Sequence, residues 1–242
     1  MTRTLDILER LALGPASLPE LADHCTLPTT TVHRLLISLI DRGYAVANTR
    51  GSYGIGPSVL SLAAGRSFED LLRDASRDII AKLSKRCRTH VHLGVFENNM
   101  VTYLLKQPYG KSRIISEENS QLEAYCSALG KVLLASLDDC SIEDYLGEGT
   151  LVALTPHTIT DAGRLRAELI RVREQGWARD DREMLLDLCC IAVPLRDRNG
   201  RARAALSISR RARGIEVDTL LDLLSELHSA AQGIERKVLS GF

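Results

Sequence analysis

The stretch from Pro19 to Gly56, PELADHCTLPTTTVHRLLISLIDRGYAVANTRGSYGIG, leaves this chain few ways to fold. It reads as two short amphipathic helices, broken near Thr26 to Pro28. A turn at Arg42-Gly43 follows, then a small hairpin folded at Arg50-Gly51. In the second helix Val32, Leu35, Leu36, Leu39 and Ile40 recur at offsets of three and four, one stripe facing a core. Proline disfavours helix in the residue before it, so this helix starts at Pro28 or Thr29. Helix, turn, helix and wing, in that order, make a winged helix-turn-helix.

Off the core stripe, the start of the second helix carries Thr29, Thr30, Thr31, His33 and Arg34. Short hydroxyls, an imidazole and a guanidinium can enter a major groove, donate to phosphates and touch base edges. The amides of the helix start face any anion in front of it. Arg50 sits at the hairpin tip beside Gly51, placed to reach a phosphate or a minor groove. A threonine-rich start also suits a plain capping cluster on a solvated helix face.

Charge neither demands nor excludes a nucleic-acid partner. Lys+Arg and Asp+Glu are both 31. Met1 to Arg66 holds six basic and five acidic residues, and the remainder 25 and 26. A positive field must therefore be local or built by association of copies. That argues against a protein that coats nucleic acid and is compatible with a site-specific reader. Aromatic residues are 4% of the chain, too few for stacking on single strands. Six cysteines lack a framework spacing, MTRTLDILER has no leader pattern, and no apolar run approaches the ~20 residues that span a bilayer. The expectation is a reduced, cytoplasmic protein without membrane contact.

Thr4 to Leu13 reads as a first helix with Leu5, Leu8, Leu11 and Ala12 inward, stopped by Gly14-Pro15. Ser17 with Glu20 fits a capping box, and Leu18, Leu21 and Ala22 face the core behind it. Pro57 to Ala64 starts an apolar helix that runs into Phe68 to Lys85. A boundary near Gly65 to Ser67 divides the chain into domains 1–64 and 65–242, joined by a stiff helical connector. Beyond it, Val91, Leu93 and Val95 share a strand face. Asn98-Asn99 turns the chain into Val101 to Lys106, and Ile114-Ile115 suggests a third strand. Helices are expected over Tyr125 to Ala135, from Thr160 or Asp161 to Gln175, and over Val217 to Val238. Cys189 to Leu195 and Ala204 to Ser209 form a hairpin around Asn199-Gly200. The fold class is α+β, with an antiparallel sheet and flanking helices in a GAF- or PAS-like second domain.

Three constellations could carry chemistry. The small-residue start AYCSALGK could hold an anion on backbone amides or simply pack closely on the sheet. Ala205, Ser207 and Ser209 share one strand face, Leu206 and Ile208 the other, so the serines either meet water or line a polar pocket. Cys189 and Cys190 point to opposite faces, with Asp180 and Asp181 just upstream. Cys87, His90 and His92 lack the fourth ligand of a zinc site, and the competing reading is a pair of surface histidines. No catalytic signature or cofactor loop is present.

TLDILERLA, LPELADHCTLPTTTVHRLLISLIDRGY and SYGIGPSVLSLA resemble the N-terminal domain of the IclR family of bacterial transcriptional regulators. EAYCSALGK, TPHTITDAGRLRAELIRVREQGWARDDRE and CCIAVPLRDRNGRARAALSIS resemble its effector domain, so the likeness covers nearly the whole chain. The resemblance implies a homodimer or homotetramer on double-stranded operator DNA, and a pocket for a small carboxylate or an aromatic acid. Carried over by position, that pocket is Ser127, Ala128, Asp180, Leu188, Cys190, Ser207 and Ser209. The family usually has glycine where this chain has Asp187, and an acidic residue within the stretch Thr89 to His92. Other classes stay open: a ligand or metal sensor derived from such a regulator, an enzyme built on Cys190 and a histidine, and a protein-interaction module.

Overall fold

The computed structural model describes residues 2–49, 51–110, 117–211 and 217–239. The chain divides into two compact units, Met1–Ser67 and Phe68–Phe242.

The first unit contains α1 (Thr2–Ala12), β1 (Ala16–Ser17), α2 (Leu18–Cys25), α3 (Thr29–Asp41), β2 (Ala45–Ala47), β3 (Ser52–Ile55) and α4 (Pro57–Ala63). Ser17 and Glu20 form the reciprocal capping box: Ser17 Oγ accepts from the Glu20 amide, and Glu20 Oε2 accepts from the Ser17 amide at 2.7 Å. Val32, Leu36 and Leu39 of α3 pack on Ile7, Leu11, Leu21 and Ala22. β3 pairs with β2 in register Ala45↔Ile55, and its other edge takes β1 as a third strand. The tip residue Arg50 lies outside the described residues.

Two expectations need correction here. In α1 the buried residues are Ile7 and Leu11, while Leu5 and Ala12 are exposed. At 100° per residue Leu5 stands almost opposite Ile7, so the helix has two apolar faces rather than one. Leu5, Leu8 and Ala12 line an apolar groove of about 690 Å³ with Leu39, Tyr44, Ile55, Val59 and Leu62. The connector is also not one helix. Ala64 is extended, Gly65 has φ +95°, and α5 begins only at Phe68, running to Cys87. Helical φ cannot pass through such a glycine, so α4 and α5 are separate helices.

The second unit is built on a six-stranded antiparallel sheet, in spatial order β6-β5-β4-β9-β8-β7. Its strands are β4 (His90–Glu97), β5 (Met100–Gln107), β6 (Gln121–Glu123), β7 (Ala178–Asp181), β8 (Leu188–Arg196) and β9 (Ala202–Arg211). Asn98 and Asn99 both take positive φ in the β4–β5 turn, as the tightest hairpins require. Ile114-Ile115 lies outside the described residues, and β6 is the strand added to β5.

One face of the sheet packs on α5, on a 3-10 turn over Val217–Leu223 and on α9 (Leu224–Val238) through Leu93, Ile191, Leu206 and Ile208. The single closing helix expected from Val217 is thus split. The other face carries α6 (Ala128–Leu134), α7 (Asp139–Gly147) and α8 (Ala162–Gln175). α6 starts three residues later than expected, because Ser127 is its cap and accepts from the Gly130 amide at 3.1 Å. Asp161 caps α8, and Gly176 ends it at φ +79°. Among the described residues no helix is long and apolar enough to cross a membrane.

Candidate functional site

α3 presents Thr29, Thr30, His33 and Arg34 to solvent, with Thr31 half-buried at the edge of its core stripe. Thr30, His33, Arg34 and Ile37 stand at helical spacing on one outward face, and Ile37 is 46% exposed. Ile37 stands outside the core stripe that the spacing of Val32, Leu36 and Leu39 marks. Pro28 is the N-cap and supplies no side-chain bond to the first amides. The exposed helix start is therefore open to an acceptor from outside the chain.

In the second unit the seven residues carried over from the resemblance converge on one cavity, of about 20 Å³. Ser127, Ala128 and Leu129 come from the start of α6, and Asp180 from β7. Leu188 and Cys190 come from β8, Ser207 and Ser209 from β9. His92, Tyr103 and Met184 complete the wall. Strand register explains the convergence: Cys190 is paired with Asp180 on one side and Ser209 on the other, and Ser207 with His92. Both serines are buried, so the solvent-facing alternative is excluded. A cavity this size holds about one water, so a larger ligand must move the side chains that line it.

Burial governs the electrostatics. His92 is held neutral, its pKa pushed down to about 3 by burial and by the nearby charge of Lys106. Its ring lies 5.0 Å from that of Tyr103. Asp180 Oδ1 accepts from the amides of Glu183 at 2.8 Å and Met184 at 3.4 Å, yet burial and the Glu183 charge push its pKa up to about 7. Burial and Asp180 also push the Cys190 thiol well above its ordinary value. That is the reverse of an activated thiolate, and it speaks against a Cys190 nucleophile.

Cys87 and the two histidines do not meet. Cys87 packs in the core on the α5 and α9 face, whereas His92 lines the cavity on the other. His90 Nδ1 accepts from the Tyr109 amide at 3.3 Å. The competing picture of surface histidines is also wrong, since both are buried. Among the described residues no group of His, Cys, Asp or Glu is arranged to hold a metal ion. Asp187 is not part of the cavity wall, and its charge is paired with Arg211.

Behind Asp180 lies a feature that sequence reasoning missed. Lys131 of α6 is fully buried, with Nζ 2.5 Å from Glu183 Oε1 and 3.7 Å from Glu168 Oε1. Thr155 and Thr158 donate to the carbonyls of Arg182 and Glu183, each at 2.6 Å, and pin the loop that carries Glu183. Among the described residues Glu183 Oε2 is buried without a hydrogen-bond partner. The available signal was a lysine inside ALGKVLL, a helix otherwise apolar all round.

Comparison with known proteins agrees with this architecture. The IclR helix-turn-helix domain matches residues 1–48, and the bacterial transcriptional regulator IclR C-terminal domain matches residues 69–236. The Pca regulon regulatory protein of Pseudomonas putida is 32% identical over 80% of this chain and 67% of its own length. The transcriptional regulator KdgR of Escherichia coli is 30% identical over 90% and 84%. The crystal structure of Thermotoga maritima IclR covers 98% of this chain and 97% of its own at 26% identity, with a TM-score of 0.66. An IclR homolog from Microbacterium hydrocarbonoxydans, solved with 4-hydroxybenzoate, has the same coverage and TM-score at 25% identity. These relatives are named regulators and not enzymes, and this chain belongs to the IclR family of bacterial transcriptional regulators, with a helix-turn-helix DNA-binding domain and a C-terminal effector domain.

Proposed function

We propose that this chain is a ligand-responsive regulator that reads a palindromic operator as a homodimer or homotetramer in the cytoplasm. Binding of a small carboxylate or aromatic acid in the second unit controls its hold on DNA. The observation that carries the reading is the convergence of hydroxyls from Ser127, Ser207 and Ser209 on one buried cavity with Asp180 and Cys190. The relative that holds 4-hydroxybenzoate supports an acid as the ligand, and the small volume favours the shorter acids. Half-sites should lie ~10 bp or a multiple apart. A ligand shifts the regulator only by its differential affinity for the two DNA-binding states. The reading is tested by thermal unfolding against a panel of acids, each hit then being assayed for release of operator DNA. A ligand at 100 times its dissociation constant stabilises by ~2.7 kcal/mol. At ~2–4 °C per kcal/mol that is a shift of several degrees.

Arg34→Ala removes the exposed guanidinium at the centre of the outward face of α3. Loss of a good base contact costs ~1–3 kcal/mol, or about 5- to 150-fold in affinity for the operator, with the melting temperature unchanged. A gel-shift titration with wild-type affinity would remove Arg34 from the interface. Thr30, Thr31, His33 and Arg50 are assigned to the same interface, Thr29 to its edge.

The double variant Ser207→Ala, Ser209→Ala is expected to keep operator binding and to lose about 30- to 150-fold in effector affinity, at ~1–1.5 kcal/mol for each of two hydrogen bonds. An unchanged effector midpoint for DNA release would place the ligand elsewhere.

A further inference from the structure

Asp180 is the one acidic side chain among the described residues that line the cavity, and neither lysine nor arginine is among them. The groups facing it come from every neighbouring element. Glu183 follows it in the chain and raises it by like charge. Lys131 of α6 favours its ionised form, but that ammonium is already engaged by Glu183 at 2.5 Å and faces Glu168 of α8 at 3.7 Å. Cys190 of β8 hydrogen-bonds to it, Tyr103 of β5 and Cys126 feel its charge, and burial keeps both thiols and the phenol protonated. His92 of β4 is neutral. The remaining nearby cations, Lys106 and Arg211, act on His90 and do not line the cavity, and Arg211 pairs with Asp187.

A carboxylate that enters here sets a second negative charge against a buried one. Two carboxylates sharing a dry site cannot both stay ionised, because the desolvated pair repels more strongly than it can in water. A proton held between them removes the repulsion and turns it into a charge-assisted hydrogen bond.

We propose that a monocarboxylate enters this cavity together with one proton, which Asp180 takes from solvent and donates in a hydrogen bond to the incoming carboxylate, and that dicarboxylates are rejected. The inference rests on the acid-sensing reading above. The balance is simple: ligand anion, ionised Asp180 and one solvent proton go in, and a neutral carboxyl bonded to a carboxylate results. Burial already brings Asp180 to about 7, so little work is needed to protonate it near neutrality. Asp180 thereby sets both the charge of acceptable ligands and the pH range in which they bind.

The test is calorimetric titration of the full-length protein with lactate, benzoate and 4-hydroxybenzoate, and with malonate and succinate as dianions. Each is run between about pH 6 and pH 8.5, in paired buffers of different ionisation enthalpy. A monoanion is expected to bind with an apparent enthalpy that changes with the buffer, approaching about one proton taken up at the alkaline end. Its affinity should fall ~10-fold per pH unit there. Asp180→Asn, a permanently neutral donor, should bind it with no buffer dependence and a flat pH profile. Its fold is checked by melting and operator gel shift. If it does not fold, the wild-type buffer dependence decides alone. Binding with a buffer-independent enthalpy overturns the proposal and leaves the acid-sensing reading standing, as does a dicarboxylate that binds as tightly as the monoacids. Should no monoanion bind at millimolar concentration near pH 6, the acid-sensing reading falls and the proposal falls with it.

Discussion

Replacing Lys131 by alanine is expected to cost about 3–5 kcal/mol, the usual penalty for removing one partner of a buried pair. The side chain is fully buried, and its ammonium is the cation that faces Glu183 at 2.5 Å. Burial already raises the Glu183 carboxyl, and Lys131 opposes that rise. Without the lysine, Glu183 must protonate or stay charged in a dry site. Its folded value then lies above its unfolded one, so the variant is most stable at low pH and loses stability as pH rises through the folded value. The wild type has a weaker limb of this kind at Glu183, because Lys131 opposes the rise there, and the limb from Asp180 is common to both proteins. Urea unfolding at pH 5 and pH 8 measures both effects, and the melting point should drop by ~6–20 °C. The double variant Lys131→Met, Glu183→Leu should recover most of the loss, because an apolar pair of similar volume is often neutral. A Lys131→Ala midpoint equal to wild type at both pH values would refute the buried pair.

Gly130→Ala is expected to destabilise the second unit by about 2 kcal/mol or more, reversing the usual sign. A glycine inside a helix costs ~1 kcal/mol relative to alanine, so the substitution should help wherever there is room. At Gly130 there is none: an added Cβ would stand 2.1 Å from the carbonyl oxygen of Ala124 and 2.3 Å from its Cα. Backbone cannot rotate aside, so α6 must lift from the segment beneath it, which costs more than the propensity gain. Gly233→Ala in α9 is the control. Its Cβ would meet Ile79 Cδ1 at 3.5 Å, an ordinary contact, and the change should be neutral or stabilising by ~0.5–1 kcal/mol. Equal melting points for the two variants would show that α6 is not held against Ala124.

How much of this could be read from the chain follows from the range of each cause. The core stripe Val32, Leu36 and Leu39, the Ser17–Glu20 cap and the Asp161 cap are local, and sequence spacing reveals them. The opposed faces of β9 are equally local, since side chains alternate along a strand. β7 was not legible as a strand. ARDD reads as a polar loop, and Asp180 is buried because its strand pairs with Cys190 of β8. Lys131 and Glu183 are 52 positions apart and meet only through the packing of α6. His92 and Tyr103 reach the same wall despite a register shift between Leu93 and Gly94, which strand alternation does not foretell. In α1, Leu5 and Ile7 are equally apolar, and only the surrounding helices decide which of them is covered.

The alternation of β9 has a consequence for how such proteins diverge. Leu206 and Ile208 belong wholly to the packing against α5 and α9, while Ser207 and Ser209 belong wholly to the cavity. On the effector reading proposed above, a substitution at 207 or 209 would alter what the chain can recognise without loosening its framework. One at 206 or 208 would do the opposite. On that reading, descendants of one ancestor would exchange chemical preference by changing every second residue of a single strand, and keep the architecture they inherited.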